Sequence, residues 1–452
     1  MSVIFKKIWN AFDGLASDSL WAILFDVIKL ISAIISFTLI QKILDTEKYG
    51  SFMAVFAIIA PLGALSYAGP GLAILKAIFR DRLDNLTTFR SYLTLSFFAS
   101  LGLSVFGIVF ALFITNDLNV FEISFLVLSE LLAGSVIMMV ASFLHATAGF
   151  ANMTRVKIGM IAIKISLIFL LVVLDANLEQ EIEILSRISL PFEKFEAFTI
   201  LNLGLGYLVF YVLYAIWLLR VHLPKYGYKF SFKKPEYPYL RSGLIFGGPM
   251  AAGQFQSEGD KIVMEKFNAD ANEVGLYANA YKIISFGITP LRALNSAAFQ
   301  RFLPDDESQK GLHLRRATRY TAFLFSASVA ISAVLYLSLP LIDFLIDDNY
   351  KDARKMIPWL IPIIPLFALK GTPLNGLIGL DRTLERSYIY FASSMFSLIM
   401  YLIFIPPYGW KGAVAATLIS EVFLAIVSWV AIIYYQRKSD QTKLVDEAAI
   451  VG

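Results

Sequence analysis

The sequence predicts an all-α integral membrane protein of about twelve transmembrane helices, arranged as two six-helix lobes around a central polar cavity. Three observations carry this reading. The first is composition: hydrophobic residues make up 58% of the 452-residue chain and charged ones 16%, with mean hydropathy +0.67. Soluble domains run about 25% charged, and a water-soluble fold of this size could not hide so much apolar surface. The second is a series of apolar stretches long enough to cross hydrocarbon, which takes about 20 residues of helix. The third is a set of ionisable residues inside those stretches, which a bilayer rejects unless they face water or a partner.

The expected spans are 20–44, 50–75, 89–114, 119–144, 157–174, 197–219, 242–267, 274–300, 318–346, 357–380, 386–405 and 412–435. Phe, Ile, Leu and Val fill them without two-residue alternation, which excludes a transmembrane β-barrel. Several exceed the needed length and imply tilt or protruding ends. Ahead of them, Ile4, Ile8, Phe12 and Leu15 recur at helical spacing. That pattern predicts an interfacial helix over 1–19, with Asp18 or Ser19 capping the first span. No cleavable signal peptide is expected, because no clean apolar core precedes Asp13 and Asp18.

Lysine and arginine set the expected orientation. Lys6, Lys7, Lys76, Arg80, Arg82, Arg90, Arg155 and Lys157 fall on one side, followed by the basic stretch 220–241, the loop from Arg301 to Arg319, and Arg382, Arg386, Arg437 and Lys438. The opposite side is poorer in cations. Both termini are therefore expected in the cytoplasm, which requires an even number of spans. The expected organisation is an N-terminal segment 1–19, a six-helix lobe 20–219, a basic cytoplasmic linker 220–241, a second lobe 242–435 and a tail 436–452. The halves echo each other: Tyr49-Gly50-Ser51-Phe52 opens span two and Val274-Gly275-Leu276-Tyr277 opens span eight, with the same spacing from Gly50 to Lys76 as from Gly275 to Arg301. Six spans per half make this a parallel repeat about the membrane normal.

The deep ionisable residues are Asp26, Lys29, Glu130, Lys164, Glu258, Asp260, Lys261, Lys282, Arg292, Lys370 and Glu421. Asp26 and Lys29 share a helical face at i, i+3, as do Glu258 and Lys261. Each pair lines a cavity or is a self-neutralised structural pair. Asp260 lies about 200° round the helix from Glu258, so the two are not expected to point the same way. Lys282 and Arg292 lie about 15 Å apart on one helix. Together with Lys29, Lys261 and Lys370 they suggest a path for an anion, and arginine offers phosphate a bidentate fork. The substrate-binding candidates are thus Lys29, Lys261, Lys282, Arg292 and Lys370. The candidates for coupling or charge balance are Asp26, Glu130, Glu258, Asp260 and Glu421. Glu130 and Glu421 lack a partner near in sequence and are expected to pair with these cations or to bind a proton. Lys164 is expected to snorkel to the cytoplasmic interface. Pro61, Pro249, Pro290, Pro340, Pro362, Pro365 and Pro373 interrupt spans and suit helices that bend. Gly243 and Gly247 are spaced for a close helix contact.

Absences narrow the chemistry. There are no cysteines, and His145, His222 and His313 are far apart. Disulfides and thiolate sites are excluded, and no metal site is expected. No nucleotide-binding Gly-rich loop ending in Gly-Lys-Ser/Thr occurs. The outer loop 175–196 is acidic and too short for a catalytic domain. These features predict a transporter, not an enzyme, with no nucleic-acid partner.

Two segments then carry a resemblance. Tyr49-Gly50 runs through Gly69-Pro70-Gly71 to Lys76. Tyr239-Leu-Arg-Ser-Gly243 runs through Pro249 and Asp260-Lys261 to Val274-Gly-Leu-Tyr277-Ala-Asn279-Ala-Tyr-Lys282. They resemble the polysaccharide-exporting flippases, the Wzx-type O-antigen branch of the multidrug/oligosaccharidyl-lipid/polysaccharide superfamily, over about a quarter of the chain. The resemblance implies binding of an undecaprenyl-diphosphate-linked oligosaccharide between two six-helix lobes. It implies alternating access that turns this substrate across the bacterial inner membrane for O-antigen or other surface polysaccharide assembly. Membrane lipids, a polysaccharide polymerase and a chain-length regulator are the partners it implies. Asp260 and Lys282 occupy family-motif positions. The Phe246-Gly-Gly-Pro249 step departs from the pattern, and Asp26 and Lys29 have no charged counterpart when the halves are aligned. No cofactor is expected; a proton gradient, a sodium gradient or the membrane potential would drive the cycle. A multidrug or cation antiporter of the related branch and a membrane polysaccharide polymerase remain as alternative readings.

Overall fold

The computed structural model describes residues 21, 24–186, 199–228, 231, 233–267, 270–299, 302, 313–342 and 346–451. Every long regular element among them is an α-helix, some with π-helical or 3-10 turns at their joints. The expected interfacial helix at 1–19 and its cap lie outside the described residues. The chain divides into two compact units, Met1–Ala251 and Ala252–Gly452.

In the first unit, α1 is Leu24–Gln41. Helices α2 (Thr46–Gly63) and α3 (Gly69–Phe79) form one span joined by a π-helical turn at Ala64–Ala68. Helix α4 is Asn85–Ile114. Helices α5 (Val120–Val127) and α6 (Gly134–Ala148) again join through a π turn, Leu128–Ala133. Helix α7 is Phe150–Ser186 and α8 is Ile200–Trp217, extended by short turns to Tyr226.

Helices α2, α4 and α7 begin earlier than their apolar stretches, the first two because their polar first turns are capped. Asp45 accepts from the Lys48 amide at 2.7 Å and Asp84 from the Thr87 amide at 2.7 Å. The Thr87 amide also holds the exposed Asp84 carboxyl below its usual range. Asn119 and Glu122 form a reciprocal capping box. Helix α7 also runs beyond the expected span 157–174 into the expected outer loop. The remainder of that loop, 187–196, lies outside the described residues.

The first π turn has a local cause. Pro70 has no amide hydrogen, and its ring clashes with the carbonyl four residues back, that of Ser66. The widened turn releases that carbonyl, which accepts from Ser96 Oγ of α4 at 2.5 Å. Just beyond, Gly69 meets another helix: a Cβ added there would lie 2.4 Å from Gly247 Cα. The expected close contact at Gly243 and Gly247 is therefore made against Gly69 and Pro70. The unit's core is aromatic and aliphatic, with Phe89 stacked on Phe143 at 4.3 Å and Ile74, Met139 and Tyr211 fully buried.

In the second unit, α9 is Tyr237–Phe267, its first half belonging to the first unit. Helix α10 is Ala271–Phe299, α11 His313–Leu337 and α12 Leu339–Ile342. Helices α13 (Ala353–Leu360) and α14 (Ile363–Gly379) make one span broken near Pro362. Helix α15 covers Thr383–Val451. Its apolar part, Thr383–Gln441, would reach about 88 Å if straight, against roughly 30 Å of hydrocarbon. It breaks at Gly409 (φ 55°, ψ −133°), just after Pro406 and Pro407, into the expected spans 386–405 and 412–435. A core of Phe302, Leu374, Leu377, Leu424 and Ile432 holds these helices together.

Nine described helices are long and apolar enough to cross a membrane, α15 being one of them although it folds as two. Helices α9 and α10 are also of span length but do not meet that apolar standard. The surface accords with this: Val109, Phe113, Phe323 and Leu337 are each more than half exposed. Such an apolar exterior suits lipid and not water. The chain is a multi-pass α-helical membrane protein.

Candidate functional site

Helix α9 presents Glu258, Asp260 and Lys261 within one turn. The spacing places Glu258 and Lys261 together at i, i+3, and Lys261 Nζ lies 2.8 Å from Glu258 Oε2. The same ammonium lies 3.4 Å from Asp260 Oδ1. Glu258 and Asp260 have different surroundings, as their spacing implies, while the long lysine side chain reaches both carboxylates. Asp260 also faces a neighbouring helix: its Oδ2 accepts from Tyr277 Oη of α10 at 2.6 Å. Tyr281, one turn further on, lies with its ring centroid 3.9 Å from Lys261 Nζ. Asp260 and Lys261 are buried, whereas Glu258 remains partly open. An ammonium bound by two carboxylates and a ring face is neutralised as well as hydrogen-bonded, the condition under which a buried charge survives.

Lys370 of α14 and Glu421 of α15 form the second deep pair, with Nζ 2.6 Å from Oε1. Glu421 and the α9 carboxylates interact electrostatically with Tyr281 and Tyr401, and Tyr401 Oη donates to the Gln256 carbonyl at 2.7 Å. Four helices thus contribute to one buried polar network. At its side, Phe367 lies between two cations: Arg292 Cζ is 5.8 Å and Lys370 Nζ 5.7 Å from its ring centroid. Arg292 is exposed. Lys282 is half-buried on α10, its carbonyl accepting from Ser285 Oγ at 2.6 Å.

In the first unit, Glu130 sits inside the second π turn and pairs with Lys164 of α7 at 2.5 Å. Lys164 does not snorkel as its spacing suggested; the buried carboxylate draws it inward. Its ammonium lies 5.7 Å from the ring of Phe56 and 5.6 Å from that of Tyr207. Tyr67, Tyr207 and Tyr211 surround Glu130 closely enough to interact with its charge. Elsewhere in this unit, Lys157 has Lys29 and Asp26 as charged neighbours, and its Nζ is 5.6 Å from the ring of Phe25.

Sequence reasoning therefore found the charged residues but missed several of their companions. Tyr277 and Tyr281 were detectable in principle, as an aromatic i, i+4 pair ending one residue before Lys282. The pairings of Glu130 with Lys164 and of Lys370 with Glu421 span 34 and 51 residues, and no local pattern announces them.

The sequence profile of the family described as "Polysaccharide biosynthesis protein" matches residues 15–299. Among solved structures, an inward-facing multidrug resistance MATE family transporter of the MOP superfamily is similar with TM-score 0.65 at 14% identity, over 94% of this chain and 99% of that one. The lipid II flippase MurJ, in an inward closed conformation, is similar with TM-score 0.65 at 14% identity, over 95% and 91%. A MOP superfamily transporter from Pyrococcus furiosus, reported with a binding pocket of reversed polarity, gives TM-score 0.62 at 14% identity, over 94% and 95%. No curated protein matches by sequence. The fold is that of the MOP superfamily transporters. The chain belongs to the polysaccharide biosynthesis protein family.

Proposed function

We propose that the chain is a flippase for lipid-linked sugars. It moves an undecaprenyl-diphosphate-linked oligosaccharide from the cytoplasmic to the periplasmic leaflet of a bacterial inner membrane, by alternating access, for O-antigen or other surface polysaccharide assembly. Both termini face the cytoplasm, the side toward which the basic segments fall. The family match carries the reading, and the interior charges give it a mechanism. A diphosphate diester carries about two negative charges and cannot cross bare hydrocarbon. Lys29, Lys282 and Arg292 meet the diphosphate. Lys261 and Lys370 start out bound by carboxylates, so they join the anion only as those carboxylates let go. That competition lowers the barrier without trapping the substrate. Asp26, Glu130, Glu258, Asp260 and Glu421 balance the cations, and Asp26 or Asp260 takes part in coupling. Moving two negative charges out of a cell that is negative inside releases about 4.6 kcal/mol per 100 mV. A proton or sodium gradient would add to this. A polymerase and a chain-length regulator act on the product outside.

A second reading, a multidrug or cation antiporter, draws support from the fold shared with MATE transporters. One experiment separates the two. A strain lacking the gene should lose surface polysaccharide and accumulate the lipid-linked repeat unit on the cytoplasmic leaflet. Drug sensitivity with intact polysaccharide would instead select the antiporter, and unpolymerised units reaching the periplasm would select a polymerase.

A further inference from the structure

We propose that the joint face of α14 and α15 binds an anionic glycerophospholipid, with an acyl chain in an apolar groove and the phosphate at Arg437 and Lys438. The groove is a shallow, open depression of about 360 Å³ between Leu366 and Leu369 of α14 and Val422, Ile426 and Trp429 of α15. It continues past Val430 and Ile433, which line both parts, into a hollow of about 580 Å³ bounded by Tyr434, Arg437 and Lys438. Trp429 is held in place by its indole N–H, which donates to the Leu369 carbonyl at 3.0 Å. Ile426, Val430 and Tyr434 are each more than half exposed, so the groove opens outward from the helix pair.

The order of chemistry along this face identifies the occupant. From Ile426 to Arg437 the helix rises about 16 Å. Over that distance the lining passes from wholly apolar, through an aromatic ring, to two cations. One leaflet presents the same order: acyl chain, interface, charged headgroup. Basic pockets between helices at the cytoplasmic face suit anionic headgroups, and the cation distribution of this chain assigns Arg437 and Lys438 to that face. On the same helix, Asp440 accepts from Gln436 Nε2 at 2.9 Å. A purely apolar partner helix would fill the groove yet bring no anion to the two cations. A zwitterionic lipid brings the phosphate together with an ammonium that both cations repel.

Trp429 reports on occupancy. The full-length protein is reconstituted in phosphatidylcholine vesicles containing a minor fraction of acyl-brominated phosphatidylglycerol or, in parallel, acyl-brominated phosphatidylcholine. The Trp429 signal is the difference from Trp429→Phe. The brominated anionic lipid should quench it several-fold more effectively than the brominated zwitterionic one. Arg437→Gln with Lys438→Gln should lose that preference, by about fivefold in relative affinity per cation, while Arg437→Lys with Lys438→Arg should keep it. Equal quenching by the two lipids in the native protein overturns the proposal, as does a preference that survives the double glutamine variant. Displacement of the phospholipid by an equal concentration of a polyprenyl diphosphate also overturns it and assigns the groove to that lipid instead.

Discussion

The two units solve the problem of charge in hydrocarbon differently. The first pairs Glu130 with Lys164, ringed by Phe56, Tyr67, Tyr207 and Tyr211. Among the described residues, the second sets Glu258 and Asp260 around Lys261 and pairs Glu421 with Lys370, a larger cluster with two acids on one lysine. A balanced pair has little reason to respond to an arriving charge. The second cluster is instead linked across four helices, with Tyr277, Tyr281 and Tyr401 beside its acids. The two units have thus placed different chemistry in their interiors. Exposure points the same way: Arg292 is open and stands beside this network across Phe367.

The largest expected effect tests the burial difference. Lys261→Met strands Asp260 and Glu258 beside each other, and breaking a buried pair costs about 3–5 kcal/mol. Lys164 is 31% exposed, so Lys164→Met should cost less, about 1–3 kcal/mol. Thermal unfolding of the two variants in one detergent should show the larger drop for Lys261→Met. Equal drops would dissolve the contrast between the units.

Next comes transport. Lys29→Gln, Lys282→Gln and Arg292→Gln should insert at normal levels but fail to restore surface polysaccharide to a deletion strain. Arg292→Lys keeps the charge while losing the fork, and should impair restoration less than Arg292→Ala. If all three glutamine variants insert and restore polysaccharide fully, these cations are structural and the comparison says nothing about the anion's route.

The smallest effect concerns a single hydroxyl. Tyr277→Phe removes the 2.6 Å hydrogen bond to Asp260, worth about 1.5–3 kcal/mol for a charged acceptor. Tyr207→Phe in the first unit should cost less. The ordering of the two melting shifts checks whether tyrosines tie the second network together more tightly than they enclose the first pair.

The amino-acid sequence by itself determined that this chain is a helical membrane protein, where most of its spans lie and which residues carry charge inside them. Apolar length and lysine or arginine placement are one-dimensional properties, and hydrocarbon enforces them strictly because an unsatisfied backbone cannot cross it. The caps at Asp45, Asp84 and Asn119 were readable too, although attention to apolar residues alone set several starts too late. The partners of the charges were not readable. Glu130 meets Lys164 only because α7 packs on α6 behind a π turn, and Lys370 meets Glu421 only because α14 packs on α15. Ser96 of α4 meets the carbonyl that Pro70 releases for the same kind of reason. Tertiary structure decided these pairings because Coulomb attraction and hydrogen bonding depend on distance in space. Helix packing, which joins residues 34 or 51 positions apart, sets that distance in ways no local spacing encodes.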